Sequence, residues 1–250
     1  MNRILIFVLT LLALSPAIAA ADVLSDLRGT LDRLRGREPI RATLERQTSR
    51  EVKDDDKPDT EQARVSVQVE DSAEGIRILY PRELLEQSEK ELRAKRGNPE
   101  NGSPTRGAIG SIDALDAQAS LNFGPAMLEI LHSAAVIGSR AGVFQGRKAT
   151  ILSLKINSRL SARERKHIKK IEETMTIWIG EDGIPLAAEG EAKVKAGFLI
   201  LTFDNSRKEG WTFIQRGDRL VATRHTEADS GSGLGQKYQR NSTTTVTLIP

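Results

Sequence analysis

The chain has 250 residues, with 37 basic and 34 acidic side chains, a net charge of +3 and no cysteine. The absence of cysteine excludes disulfides, thiolate nucleophiles and cysteine-ligated zinc. The near balance of charge argues against a nucleic-acid partner, which would call for a clustered basic surface. We therefore expect a fold that is held by its hydrophobic core alone, in a chain long enough to bury one.

The first residues have the pattern of a secretory signal peptide. Arg3 gives a basic start, and residues 4–14 are apolar apart from Thr10. This run is shorter than the roughly 20 residues that a membrane-spanning helix needs. Small residues around Ala19–Ala21 suit signal peptidase. We predict that residues 1–21 are removed, which leaves a periplasmic or secreted protein with no integral membrane segment and no cysteine for a lipid anchor.

The mature chain begins with an amphipathic helix and continues as strands. Leu24, Leu27 and Leu31 share one helical face, and Gly36 follows where such a helix can end. From Ile40 onward, apolar and polar residues alternate with a period of two, which is typical of antiparallel strands with one wet face.

The remaining pattern predicts an α+β fold. Pro81 opens a helical stretch that extends to about residue 140. Its predicted helices are Pro81–Arg96, Asp113–Ala119 and a segment that starts at Gly124-Pro125, and Gly97–Gly107 reads as a loop. The rest of the chain reads as short strands with connectors such as Asp182-Gly183, Ser206–Glu209 and Gly217-Asp218. We predict a large curved antiparallel sheet, or an unclosed β-barrel, of about eleven strands covered by a few helices. Residues 22–250 then form a single β-rich domain with a helical insertion around residues 81–140.

This order of elements is similar to that of the LolA-like superfamily, the lipoprotein-localisation carrier fold of periplasmic proteins. The helix over residues 22–35, the strand beginning at Ile40 and the hairpin over residues 175–186, with its Asp-Gly turn followed by Ile-Pro, carry the resemblance. The resemblance implies an unclosed barrel that wraps helices around a cavity for acyl chains. It also implies a lipid or lipoprotein acyl chain as partner.

Large aromatic side chains are concentrated in the C-terminal strands. Aromatic rings supply much of the buried area in apolar ligand sites, although such residues also fill ordinary cores. The candidate ligand-binding residues are Trp178, Phe198, Phe203, Trp211 and Phe213.

No motif predicts a catalytic residue, a metal ligand or a cofactor. The histidines His132, His167 and His225 lie far apart in sequence, and neither an HExxH nor a GxSxG motif is present. The consecutive acids Asp54–Asp56 lack the alternate spacing of a calcium loop and read as a solvated segment. A site assembled in space around His225, close to Asp229 and Ser230, stays open as the basis of a hydrolase.

Three hypotheses for function follow. The leading one is an exported, non-catalytic binding module of the cell envelope that holds a lipid or acyl ligand in a half-barrel cavity. The second is an envelope protein that docks a partner through a sheet edge or through the basic segment Arg159–Lys170. The third is the hydrolase around His225.

Overall fold

The structure is a computed structural model, and it describes residues 16–250 except 35, 54–57, 159, 162–166, 199–200 and 234–235. Most of the predicted leader, the acidic triplet Asp54–Asp56 and several residues of the basic segment lie outside the described residues.

The described residues form five helices and ten strands. The helices are α1 (Pro16–Arg33), α2 (Arg82–Gly97), α3 (Pro104–Gly110), α4 (Ala114–Leu121) and α5 (Gly124–His132). The strands are β1 (Ile40–Lys53), β2 (Pro58–Ser72), β3 (Gly75–Leu79), β4 (Ala134–Phe144), β5 (Arg147–Ile156), β6 (Ile168–Gly180), β7 (Pro185–Phe198), β8 (Leu201–Arg216), β9 (Arg219–Gly233) and β10 (Gln236–Leu248).

All ten strands belong to one antiparallel sheet with the order β3-β2-β1-β10-β9-β8-β7-β6-β5-β4. The first and last long strands are neighbours, with Leu44 opposite Val246. Within the described residues β3 and β4 form the two edges, so the sheet is not closed into a barrel. The predicted class, an α+β fold with a curved antiparallel sheet, is confirmed.

The strand count is ten rather than about eleven because several polar segments predicted as connectors lie inside strands. Ser206–Glu209 is continuous with β8, where Ser206 pairs with Lys193 of β7 and with Ser230 of β9. A segment with neighbours on both sides satisfies its backbone hydrogen bonds as strand even when its side chains are polar. Alternation is weak there because little of either face is buried.

The helical stretch contains four helices, one of which the sequence did not indicate. Asp113 caps α4 by accepting a hydrogen bond from the Asp116 backbone at 2.8 Å, which explains why the helix begins there. α3 begins at Pro104, inside a segment predicted as loop. The insertion is shorter than expected, since β4 already begins at Ala134.

Two hydrophobic clusters join the helices to one face of the sheet, called here the helix-covered face. The first cluster packs α1 and α5 on β5–β9, with Leu27, Leu31 and Met127 almost fully buried. The second packs α3 and α4 on β1 and β2, with Leu121 and Val67 at its centre. No side chain of α2, which is described in full, is fully buried, although Leu84 packs in part against the second cluster. The helices thus cover the sheet only in part.

The segment after α1 is tied to the turn between β8 and β9. Gly36 has a φ of +67° and donates its backbone N–H to the Asp218 carbonyl at 2.9 Å. The Asp218 carboxylate accepts from the backbone N–H groups of Arg37 at 2.8 Å and Glu38 at 3.3 Å. The bond from Arg37 is the main reason why the pKa of Asp218 lies below its usual value. These contacts fix where β1 enters the sheet.

Candidate functional site: a cleft between two helices and the sheet

A cleft of about 940 Å³ lies between α4–α5 and the helix-covered face of the sheet. Its floor is apolar and includes Phe123, Ile156, Met175 and Trp211. Its volume falls within the range of about 300–1,000 Å³ that is typical of small-molecule sites. Residues of α4 and α5, including Asp116, Ser120 and Ile130, form its opposite side.

The floor is organised around Phe123, which immediately precedes α5. Its backbone N–H donates to the Leu220 carbonyl at 2.7 Å, so the helix start is fastened to β9. Its ring centroid lies 5.3 Å from that of Trp211 and 5.1 Å from that of Phe213. Tilted rings at these distances are favourable aromatic contacts. Phe123 was not predicted as a site residue, although an aromatic residue directly before Gly124-Pro125 suggests an anchored helix start.

A polar wall borders this floor along β8 and β9. Arg207 donates from Nη2 to Glu209 Oε1 at 2.9 Å, and its Nε lies 3.4 Å from Glu227 Oε1. Glu209 Oε1 also lies 3.3 Å from Nε2 of His225. Alternate positions on a strand face the same side, so Arg207 and Glu209 lie on the same face as Trp211. The wall and the floor are therefore parts of one surface.

The charges of the wall support one another. Burial acts to raise the pKa of the Glu209 carboxyl, but the hydrogen bond with His225 and the charge of Arg207 outweigh it and hold this pKa below its usual value. Burial similarly opposes the charge of Arg207, yet Glu209 and Glu227 raise the pKa of the guanidinium. Both groups are charged at neutral pH.

The imidazole of His225 stacks on the indole of Trp211. The ring centroids are 5.0 Å apart and the ring planes differ by 4°. This stack connects the polar wall to the apolar floor, because the His225 ring contacts Glu209 through Nε2 and Trp211 through its face. A change in the His225 side chain should therefore reach both parts of the cleft.

Arg46 closes the cleft towards α3 and α4. It is 7 % exposed, and its Nε donates to the Thr244 hydroxyl at 3.0 Å. Its Nη1 donates to the Ser111 carbonyl and lies 3.5 Å from the Asp116 carboxylate. The guanidinium thus links β1 to the start of α4 and sets the end of the cavity.

The geometry around His225 supplies a base and a carboxylate but not a triad. The carboxylate partner is Glu209, whereas Asp229 accepts instead from Asn205 at 3.0 Å. Ser230 is five positions from His225 on the same strand, so the two side chains point to opposite faces. No serine or threonine hydroxyl of the described residues is hydrogen-bonded to the imidazole.

The structure separates the predicted ligand-binding aromatic residues whose side chains it describes. Trp211 lies in the floor, and Phe213 lies beside it in the core at 5 % exposure. Phe203 lies at the far end of β8, where it lines a different groove. Phe198 ends β7, and its side chain lies outside the described residues.

Trp178 lies on the opposite face of the sheet. Its sequence neighbours Ile177 and Ile179 point into the first cluster, and the Trp178 ring packs on Phe144 with centroids 5.8 Å apart. Of the four whose side chains are described, only Trp211 and Phe213 are brought together, each against the Phe123 ring. Ligand binding by these residues stays a prediction.

Comparison with known proteins assigns no family. No protein-family model matches the chain, and no curated protein matches it either. Among the described residues, no helix is long and apolar enough to cross a membrane. In the same part of the chain, no group of three or more His, Asp and Glu side chains is arranged to hold a metal ion. The LolA-like resemblance stays a prediction, and the geometry of the cleft is the basis on which a function can be proposed.

Proposed function

We propose that this protein is an exported, non-catalytic binding module of the cell envelope that holds a lipid or acyl chain in the cleft between α4–α5 and the sheet. The observation that carries the proposal is an apolar floor and a charged wall within one cleft of about 940 Å³. Such a surface suits an amphipathic molecule whose chain covers Trp211 and Met175 and whose polar end meets Arg207 and Glu209.

The free energies expected for burying an acyl chain are consistent with this proposal. Each CH₂ group that leaves water contributes about 0.8 kcal/mol, so eight of them contribute on the order of 6 kcal/mol. Association costs at least about 4 kcal/mol in lost translational and rotational freedom. The floor alone therefore supports weak binding of an acyl chain, and contacts of a polar headgroup with the wall would supply the rest.

The two tryptophans offer a matched test, since one lines the cleft and the other lies on the opposite face. The Trp178→Phe variant retains Trp211 as its only indole, and the Trp211→Phe variant retains Trp178. Titration with brominated stearate, a contact quencher, should saturably quench the fluorescence of the first variant and leave the second nearly unchanged. Native mass spectrometry of protein purified from its own envelope should show a bound lipid that solvent extracts.

Two results would remove the proposal. One is equal quenching of both variants, which indicates non-specific contact with the fatty acid. The other is the absence of bound lipid together with no quenching of Trp211.

A second candidate function, docking of an envelope protein, is favoured by the edge strand β4. It pairs only with β5 among the described strands, and Ile137 and Val143 are 64 % and 61 % exposed. Unpaired edges with exposed apolar residues can accept a strand from another chain. If β4 is the contact, pull-down from periplasm should recover one dominant protein with the wild type and lose it with the Val143→Lys variant. Unchanged capture would exclude β4.

A further inference from the structure

A second groove lies on the same face of the sheet, beyond the helices that cover the first cleft. It has a volume of about 710 Å³ and is bordered by the ends of β1, β2, β8, β9 and β10 and by α3. Its two aromatic side chains are Phe203 and Tyr238, and each is 37 % exposed. Neither ring is used by the lipid cleft, which is formed by other residues.

Both rings lie over glycine backbone. Tyr238 is directly opposite Gly231, and a Cβ atom at Gly231 would collide with its ring. Phe203 covers Gly233 in the same way. Because a glycine has no side chain, each ring can lie close against the strand while part of it remains open to the groove. The two glycines are two positions apart, about 7 Å along β9.

Hydrogen bonds hold the Tyr238 ring in this position. Asn205 donates from Nδ2 to the Tyr238 hydroxyl at 2.5 Å and to Asp229 Oδ1 at 3.0 Å, and the hydroxyl lies 3.4 Å from the same Asp229 oxygen. Burial and the charge of Asp229 raise the pKa of the Tyr238 hydroxyl. The ring is therefore neutral at physiological pH and is fixed before any ligand arrives.

The polar lining of the groove is balanced in charge and mixed in hydrogen-bonding type. Three basic and three acidic side chains line it: Arg50, Lys237, Arg240, Glu61, Asp204 and Asp229. Hydroxyl and amide groups of Thr48, Ser49, Gln62, Asn205 and Ser232 complete it. A lining of this kind provides both donors and acceptors but no net charge for a polyanion or a polycation.

We propose that this groove binds an oligosaccharide. Sugar rings have apolar C–H faces that stack on aromatic rings and hydroxyl rims that need donors and acceptors together. Phe203 and Tyr238 provide two stacking surfaces, and Asn205, Asp229 and the arginines provide the hydroxyl contacts. A lipid chain would take the charged side chains of the lining out of water without giving them new partners, which is costly. The proposal is independent of the lipid cleft.

The test uses two neutral tetrasaccharides, chitotetraose and cellotetraose, titrated into the mature protein. At least one should bind saturably by calorimetry. Its amide NMR shift changes should map to residues around Phe203 and Tyr238 rather than to Trp211. The Phe203→Ala and Tyr238→Ala variants should each weaken binding at least tenfold.

Two glycine-to-alanine variants distinguish an effect on ring stacking from an effect on protein stability. The Gly231→Ala variant keeps both aromatic rings but displaces Tyr238, so it should weaken binding as well. The control is Gly138→Ala on the edge strand, because a Cβ atom there meets nothing within 4 Å. Three results would overturn the proposal: no saturable binding of either sugar to the wild type, shift changes confined to the first cleft, or unchanged binding in both aromatic variants.

Discussion

Glu209 connects the charged wall of the cleft to its aromatic floor. Its Oε1 receives both the Arg207 guanidinium, at 2.9 Å, and the His225 imidazole, at 3.3 Å. His225 in turn rests on Trp211. A single carboxylate thus orients a cation above the cleft and a ring that covers part of the cleft floor.

The pKa of Glu209 makes its contribution to stability depend on pH. The folded-state pKa lies below the usual value of 4.5, so the stabilisation is present above that value and is lost as pH falls through the folded-state pKa. We expect Glu209→Gln to lower the free energy of unfolding at pH 7 by about 1–2 kcal/mol. Urea titrations from pH 7 down to pH 3 should show this difference shrinking. A difference that stays constant with pH would contradict the role of the carboxylate.

Arg219 and Asp71 form a buried ion pair that joins β9 to β2. The Arg219 Nη1–Asp71 Oδ2 distance is 2.5 Å, and Arg219 also donates from Nε to the Glu38 carbonyl at 2.8 Å. Arg219 is 2 % exposed. We expect Arg219→Met to destabilise the protein by about 3–5 kcal/mol, because Asp71 is left as a buried charge without its partner.

The control for this pair is the double variant Asp71→Asn with Arg219→Met. It removes both charges, so chemical denaturation should show part of the lost stability restored. A double variant no more stable than Arg219→Met alone would place the loss in packing or in the bond to Glu38.

At the scale of single elements, α1 is one of the two helices that cover the first cluster. Leu31 is 1 % exposed within it, whereas a Cβ atom on Gly29 would meet nothing within 4 Å. Thermal and urea unfolding should therefore show opposite effects from two substitutions in the same helix. Leu31→Ala should cost about 2–5 kcal/mol, and Gly29→Ala should add about 0.5–1 kcal/mol. Equal effects of the two would contradict the packing of α1.

The packing of α1 also bears on where the predicted leader is removed. Ala20 of this helix is fully buried, so cleavage after Ala21 would remove a packed residue. Cleavage after Ala19 retains it. This packing favours an Ala20 start over the Asp22 start expected from the sequence alone, so we predict that the intact mass of protein recovered from periplasm corresponds to a chain beginning at Ala20. A mass corresponding to an Asp22 start would show that the packing of Ala20 is dispensable.

At the scale of the whole molecule, the pairing of β1 with β10 makes the sheet continuous. Val221 of β9 belongs to the second cluster, while its neighbours Leu220 and Ala222 belong to the first. The two halves therefore share one strand as well as the Arg219–Asp71 pair. We expect native-state hydrogen exchange to show equal opening free energies for the most protected amides of β1 and β6. Separate values would indicate two domains.

Local signals in the sequence indicated some elements well and others poorly. Asp182-Gly183 does form a turn, with Gly183 at a φ of +79° and the Asp182 carboxylate accepting from the Ile184 N–H at 3.0 Å. Ser206–Glu209 was expected to be a connector because its residues are polar. The segment forms part of a strand because it pairs with β7 on one side and β9 on the other. A local sequence pattern does not contain information about such distant neighbours.

The sequence by itself determined the α+β class, the antiparallel strands and most helix starts, because period, turn residues and caps act over a few positions. Only the tertiary structure decided which aromatic rings meet. Trp178 and Trp211 both lie in segments predicted as strands, yet the face of the sheet on which each ring lies depends on register and bulges. The cleft, the second groove and the pairing of β1 with β10 join residues up to about 200 positions apart. Such contacts follow from how the elements pack rather than from any local preference.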